Sequence, residues 1–181
     1  MEKAEKSLNV IEGIQKRPVG ELHTLLRQLH ECVRLTQVPV TCLHDDYHPG
    51  NIFVTRDGKV GALDPNWVEG GPIYADLATM LIYPVTNKIQ LITQGLVFGY
   101  SMRQRYERAF LRGYMKGFQV SCSILYLYCA FAVIEKWQDI EELLIASNLS
   151  LYRIGAFFIK AWLRVYFRHF LKDYILRGLQ S

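Results

Sequence analysis

The chain of 181 residues is long enough for one domain with a sizeable core, and half of its residues are hydrophobic. This composition excludes an intrinsically disordered protein. The net charge of +4 lies in the C-terminal half, since residues 97–181 are basic and residues 1–96 slightly acidic. A basic half can favour an anionic ligand or surface, although a solvated basic face on a helical domain is the commoner explanation.

The four cysteines and the hydrophobic runs indicate a cellular compartment. No two cysteines have C-x-x-C spacing, so the sequence indicates neither a zinc site nor a redox motif. Their apolar neighbours predict buried free thiols, which suit a reducing compartment. The N-terminus lacks the apolar stretch of a signal peptide, and the longest apolar run, 123–134, is too short to span a bilayer. We therefore expect a cytoplasmic protein with no transmembrane segment.

The first elements of the chain are a helix and a strand. Residues 1–19 are charged and show no clear periodicity. From Glu21 to Val33, apolar residues recur at steps of three and four, which predicts an amphipathic helix ending before Pro39. Residues 40–43 then predict a short strand, and a polar loop follows at 44–50.

A hairpin and a long helical region complete the chain. Residues 52–54 and 60–63 predict two strands joined by a turn that contains Asp57-Gly58. Glycines and prolines after Asp64 predict a loop, and the acidic cluster at 139–142 predicts a helix N-terminus. Helices are predicted at 74–83, 88–99, 103–118, 121–136, 139–147 and 149–177.

The polar loop and the hairpin carry the residues that indicate chemistry. Asp46 precedes Asn51 by five positions, and the returning strand can bring Asp64 near Asn51. A carboxylate can orient an attacking hydroxyl and accept its proton, while amide and carboxylate oxygens are ligands that Mg²⁺ prefers. His44 and His48 do not predict a metal pair, because their loop contains a proline and a glycine instead of helical spacing. The pattern therefore favours phosphoryl transfer.

Three segments resemble known motifs in the same order. HDDYHPGN at 44–51 resembles the H-G-D-x-H-P-G-N loop of aminoglycoside phosphotransferases and of choline and homoserine kinases. LDP at 63–65 resembles their I-D-W or I-D-P motif, and GPIYADLA at 71–78 resembles their G-D-P-x-x-D-L-A segment. The chain is thus similar, most closely over 40–80, to the aminoglycoside phosphotransferase and choline kinase-like family, whose fold is protein-kinase-like.

The resemblance implies roles for particular residues. Asp46 would be the catalytic aspartate that faces the acceptor hydroxyl. Asn51 and Asp64 would bind Mg²⁺ on the phosphates of ATP or GTP. Phe53 would line the floor of the adenine pocket.

Supporting residues and two departures from the family pattern follow from the same resemblance. His44 would buttress the loop, and Asp76 would be a structural carboxylate that supports it. Asp45 stands where the family usually has glycine, and its carboxylate either repels Asp46 or faces solvent. Gly71 stands where aspartate is common, which removes one expected polar contact.

The fold class implied is α+β and mainly helical: a single domain, 1–181, forming the C-terminal lobe of a protein-kinase-like fold with the catalytic loop beside a small β-hairpin. The catalytic and metal-binding motifs lie at 40–80, and residues 81–181 form a helical remainder. Residues 1–39 show no glycine-rich loop and no β-rich lysine strand, so an N-terminal nucleotide-binding lobe is not recognisable. We expect weak nucleotide binding without that lobe, and self-association through exposed apolar surface.

The implied function is transfer of the γ-phosphoryl group of ATP or GTP to a hydroxyl of a small molecule such as an aminoglycoside, choline, a sugar or an amino-acid alcohol. A non-catalytic remnant or binding module that keeps the scaffold is the alternative. A protein kinase fits less well, because no A-P-E segment follows Asp64. A basic stripe at 153–172 favours a helix packed on its own domain with its cations outward, so no nucleic-acid partner is expected.

Overall fold

The computed structural model describes residues 1–93, 96–146 and 153–181, with the backbone alone for 153–159. Its helices are α1 (Glu2–Gln15), α2 (Gly20–Val33), α3 (Tyr74–Thr86), α4 (Lys88–Ile92), α5 (Tyr100–Tyr114), α6 (Cys122–Ala146) and α7 (Arg153–Gln180). Its strands are β1 (Val40–Leu43), β2 (Ile52–Val54), β3 (Val60–Ala62) and β4 (Val68–Pro72), and a 3-10 turn spans Pro49–Asn51. The mainly helical architecture with small antiparallel sheets is compatible with the predicted α+β class.

Helix α1 is an element that the sequence pattern does not reveal. Its inner face buries Ala4, Leu8 and Ile11, at a spacing typical of a helix. Ser7 and Gln15 are buried on the same face and interrupt the apolar stripe. Two helices therefore occupy most of residues 1–39, and this range contains no strand.

Helix α6 forms the centre of the core and packs against α1, α2, α3 and α7. Leu125, Cys129 and Val133 on α6 are fully buried. Further along, Trp137 stacks on Phe167 of α7 with ring centroids 6.0 Å apart and an interplanar angle of 11°. Burial of such large side chains is the main stabilising contribution of this helix.

The prediction of two helices at 121–136 and 139–147 is wrong, because α6 runs unbroken through this stretch. Glu141 is buried near the C-terminal end of α6 and so does not mark a helix N-terminus. Its Oε1 accepts hydrogen bonds from Gln15 Nε2 at 2.7 Å and from Trp137 Nε1 at 3.3 Å. These two donors stabilise the buried carboxylate of Glu141. Gln15 is distant in the sequence, so the residues around Glu141 do not indicate this burial.

Other helix bounds also differ from the predictions. The helix predicted at 88–99 ends as α4 at Ile92, and its predicted residues 94–95 lie outside the described residues. Helix α5 begins at Tyr100, three residues before its predicted start. The predicted helix ends near 147 and 149 also fall outside the described residues.

A charge network fixes α5 to α6 and α7. Arg177 Nη1 donates to the buried carboxylate of Glu107 at 3.0 Å, and Arg177 Nη2 also contacts this carboxylate. Tyr126 donates its hydroxyl to Glu107 Oε1 at 2.9 Å. Burial and then the neighbouring Glu107 carboxylate raise the pKa of Tyr126 well above its usual value, so the phenol remains a donor.

The basic stripe of α7 lies at the surface as predicted, since Arg168 is exposed and Lys172 partly exposed, and both side chains also bind neighbouring elements. Arg168 Nη2 donates to the carbonyl of Pro18 at 2.8 Å, and Lys172 pairs with Glu21 on α2. The helix is packed on its own domain, with Phe167 and other apolar side chains buried. Among the described residues, no helix has the length and hydrophobicity needed to cross a membrane.

All four cysteines are free thiols, but the prediction that all are buried is wrong. Cys129 is buried in α6 and Cys122 is partly buried, whereas Cys32 and Cys42 are exposed. Apolar sequence neighbours predict burial of a cysteine only where another part of the protein covers the side of the helix or strand on which the cysteine lies. Cys42 lies on a strand whose other residues are largely exposed.

The two small sheets frame the polar loop. Strands β2 and β3 form the predicted antiparallel hairpin, with Ile52 opposite Ala62. Strand β4 was not predicted, because its sequence, VEGGP, contains two glycines and a proline. It pairs antiparallel with β1 and brings Gly71 against Leu43.

Candidate active site

The polar loop leaves β1 at its C-terminal end and is anchored to the first turn of α3. The backbone N–H of His44 donates to Asp76 Oδ2 at 2.8 Å, and that of Asp45 donates to Asp76 Oδ1 at 3.0 Å. One carboxylate thus binds two consecutive amides with both of its oxygens. The expected role of Asp76 in supporting the loop is confirmed.

Asp46 and Asn51 are brought together at the centre of the loop. Asn51 Nδ2 donates to the main-chain carbonyl of Asp46 at 3.0 Å and to its carboxylate Oδ2 at 3.0 Å. This double contact fixes both the backbone and the side chain of Asp46. The Asp46 side chain remains 51% exposed, so a substrate can reach its carboxylate.

Asp64 follows the hairpin, directly after a residue that is hydrogen-bonded to the backbone of Asn51. The N–H of Leu63 donates to the carbonyl of Asn51 at 2.8 Å, which continues the strand pairing toward the loop. Asp64 is exposed and adopts a left-handed backbone with φ of 50°. Among the described residues, its carboxylate takes part in no hydrogen bond or ion pair, which leaves both oxygens open to a ligand.

The donor chemistry of this site fits Mg²⁺. Because Asn51 donates through Nδ2, its Oδ1 is the atom left to ligate a cation. Asp64 adds a carboxylate, and Mg²⁺ commonly takes one or two protein oxygens and fills its shell with phosphate and water. Within the described part of the chain, no three His, Cys, Asp or Glu side chains cluster as an all-protein metal site.

Phe53 lies on the hairpin with its ring over Gly61. It pairs with Gly61 across the two strands, and a Cβ at position 61 would stand 2.3 Å from the Phe53 ring. The glycine therefore lets the ring lie flat on β3. Phe53 remains 41% exposed, which leaves a ring face open.

His48 is a residue whose contacts the sequence did not reveal. Its Nδ1 accepts a hydrogen bond from the N–H of Gly50 at 3.0 Å, so His48 caps the 3-10 turn. Its Nε2 lies 3.4 Å from Asp46 Oδ1, and its ring stacks on Tyr83 of α3 at 4.8 Å. Histidine is not one of the residues that commonly cap a helical turn, so the local sequence does not indicate this role.

His44 and Asp45 take positions consistent with support of the loop. The ring of His44 lies 5.7 Å from that of Tyr47, and both ring nitrogens are buried with no hydrogen-bond partner. Asp45 is exposed, the solvent-facing alternative, and its φ is 64°. This left-handed conformation favours glycine and is tolerated by aspartate, which explains why both residue types suit the position.

Aromatic side chains extend from the loop toward α5. Burial raises the pKa of the Tyr47 phenol above its usual value, and so does the nearby Asp76 carboxylate. Burial is also the main cause that raises the pKa of Tyr106 on α5, which donates its hydroxyl to the carbonyl of Met80 at 2.9 Å. These phenols stay protonated at neutral pH and bound the loop on its α3 and α5 side.

A comparison with known families identifies the class of protein to which this loop and hairpin belong. A family model described as the phosphotransferase enzyme family matches residues 5–115, which is more than half of the chain. The chain belongs to this family, and the match confirms its resemblance to aminoglycoside phosphotransferase-like kinases. No curated protein and no solved structure gives a significant match to the chain.

Proposed function

We propose that this chain carries the catalytic side of a small-molecule kinase, which transfers the γ-phosphoryl group of ATP or GTP to a hydroxyl of a small molecule. The observation that carries the proposal is the contact of Asn51 Nδ2 with both the carbonyl and the carboxylate of Asp46. It holds a half-exposed carboxylate rigidly beside a free amide oxygen. Phosphoryl transfer depends on positioning and charge neutralisation, and this pair provides an anchor for both.

Each residue has a defined role in the proposed reaction. Asp46 orients the acceptor hydroxyl and takes its proton late in the transfer. Asn51 Oδ1 and the Asp64 carboxylate would hold Mg²⁺, and Asp76 keeps the loop in place through its two amide contacts. Mg²⁺ bound there would neutralise phosphate charge. The open face of Phe53 offers a platform for the adenine ring.

The proposed reaction requires a second lobe that closes over the nucleotide, as part of the same protein or as a partner. Several apolar side chains on the hairpin and on the segments before and after it in the chain are strongly exposed: Val40, Val54, Val60 and Trp67 are 66–68% exposed. An apolar surface of this kind is usually covered by another protein surface. The four free thiols fit a reducing compartment, and we place this assembly in the cytoplasm.

Two measurements test the proposal. Calorimetry of the 181-residue chain with ATP or GTP and Mg²⁺ is expected to give a dissociation constant above about 1 mM, the upper end of usual KM values. Micromolar affinity would contradict the need for a second lobe. The intact enzyme is this chain together with the proposed second lobe. In a screen of hydroxyl acceptors, it is expected to transfer the phosphoryl group. Asp64→Asn should abolish this transfer, whereas Asp57→Asn, at the turn of the same hairpin, should retain it. Absence of transfer to every acceptor and to water would contradict the proposed activity.

A further inference from the structure

We propose that His48 is a positioning residue for Asp46: a neutral imidazole, fixed with its proton on Nε2, that faces the second oxygen of the Asp46 carboxylate. The inference rests on the proposed function for its catalytic consequence. Its structural content stands on the contacts of His48 alone.

The tautomer of His48 follows from its cap. A backbone N–H can only donate, and the N–H of Gly50 points to Nδ1 at 3.0 Å. Nδ1 is therefore the unprotonated nitrogen, and a neutral imidazole then carries its proton on Nε2. The Nε2–H group is the one that lies toward Asp46.

The surroundings of the His48 ring hold it in this orientation. The ring stacks on Tyr83 with an interplanar angle of 14°. A Cβ at position 50 would stand 2.8 Å from His48 Cε1, so glycine is needed there for the ring to lie against the turn. The His48 side chain is 23% exposed, less than half as much as that of Asp46.

The two oxygens of the Asp46 carboxylate then have different partners. Oδ2 accepts from Asn51 Nδ2 at 3.0 Å, and Oδ1 faces His48 Nε2 at 3.4 Å. The second contact is longer than an ordinary hydrogen bond, as catalytic contacts often are before substrate binds. This pair makes no hydrogen bond in the structure, so Asn51 is the donor that holds the carboxylate, and we expect the Nε2–H group of His48 to become the second donor when an acceptor hydroxyl binds.

Two substitutions at position 48 separate the cap from the contact with Asp46. In His48→Asn, the side-chain oxygen stands near the place of Nδ1, so it can still accept from Gly50, but it does not reach Asp46. In His48→Gln, the longer side chain can present an N–H near the place of Nε2 and loses the cap. Both variants lose the stacking on Tyr83, so each serves as the control for the other.

Turnover of Mg·ATP in the intact enzyme, with water as the acceptor, measures the effect on chemistry. His48→Asn is expected to lower kcat by about tenfold to a hundredfold, the cost of a small misplacement of a catalytic group, with KM for ATP unchanged and the melting temperature lowered only by the lost stacking on Tyr83. His48→Gln is expected to recover part of kcat despite a lower melting temperature. Wild-type turnover in His48→Asn, or lower turnover in His48→Gln than in His48→Asn, would overturn the proposal.

A spectroscopic measurement separates this proposal from the proposed function. In isotope-labelled protein at about pH 8, above the usual range of imidazole titration, a long-range proton–nitrogen correlation spectrum reports the tautomer of each histidine. The His48 signals, identified by their loss in His48→Asn, are expected to show the Nε2–H form, and Asp46→Asn is expected to shift Nε2. A proton on Nδ1, or no response to Asp46→Asn, would overturn the proposal even in an active enzyme. If the wild type turns over no ATP, the proposed function fails, while this spectrum still decides the contact.

Discussion

Removal of the Asp76 carboxylate is expected to release the catalytic loop from α3. In Asp76→Ala, the N–H groups of His44 and Asp45 lose the acceptors that hold them at 2.8 and 3.0 Å. The alanine side chain has no acceptor that could replace the lost carboxylate. The loop and the domain should therefore be affected to different degrees.

The expected loss can be estimated from the two contacts. A hydrogen bond to a charged group contributes about 1.5–3 kcal/mol, and the His44 contact is partly buried whereas the Asp45 contact is exposed. Since the exposed contact is weakened by water, we expect the free energy of unfolding to fall by about 2–4 kcal/mol. The matched control is Asp57→Asn, at an exposed turn position where asparagine is also favoured, and it should leave the free energy of unfolding near that of the wild type.

Denaturant unfolding and amide hydrogen exchange measure this prediction together. The amides of His44 and Asp45 should exchange faster in Asp76→Ala, by more than the global loss of stability explains. The amide of Leu63, which binds the Asn51 carbonyl, should report only that global loss. A change in unfolding free energy below about 0.5 kcal/mol with unchanged exchange at both loop amides would refute the reasoning.

Three further predictions concern the scaffold. Glu107→Ala is expected to cost about 3–5 kcal/mol in denaturant unfolding, because it leaves a charge network without its buried carboxylate; a loss below 1 kcal/mol would contradict the network's role. Gly71→Ala places a Cβ 2.2 Å from Leu43 Cδ1 and should lower the free energy of unfolding by about 1–3 kcal/mol. In the double variant with Leu43→Ala, the total loss should be smaller than the sum of the two single losses. Strictly additive losses would exclude the clash. The Lys172 contact lowers the pKa of Glu21 below its usual value near 4.5. The coupling free energy of Glu21 and Lys172 in a double-mutant cycle should therefore be complete at neutral pH and vanish as the pH falls below that value. Coupling that persists in acid would contradict the pairing.

The catalytic loop and its hairpin were predictable because their signals are local. An Asp-Gly turn between two short β-rich runs sets the strand pairing, so the positions of Asn51 and Asp64 follow from the chain itself. Support of the loop by the Asp76 carboxylate was expected from the family resemblance, whereas its two contacts with backbone amides were not. Their geometry depends on α3 approaching β1 and is seen only in the folded chain.

Other features were not predictable because distant residues determine them. Gln15 of α1 is buried against Glu141 of α6. Each of these polar residues interrupts the apolar pattern of its own helix, which makes that helix harder to recognise from the sequence. Strand β4 forms because β1 offers it an edge and because Gly71 fits under Leu43. Likewise, the contact of His48 with Asp46 depends on the stacking of His48 upon a residue of α3.

The most direct test of the proposed function compares the two adjacent aspartates of the loop in the intact enzyme. Asp46→Asn removes the proposed proton acceptor and keeps an oxygen for the Asn51 amide, whereas Asp45→Asn changes an exposed neighbour and retains a residue that tolerates a left-handed backbone. We expect kcat for phosphoryl transfer to fall by about a hundredfold or more in Asp46→Asn with an unchanged melting temperature, and to stay near wild type in Asp45→Asn. Near-normal turnover in Asp46→Asn would contradict the assignment of Asp46 and the proposed function built on it.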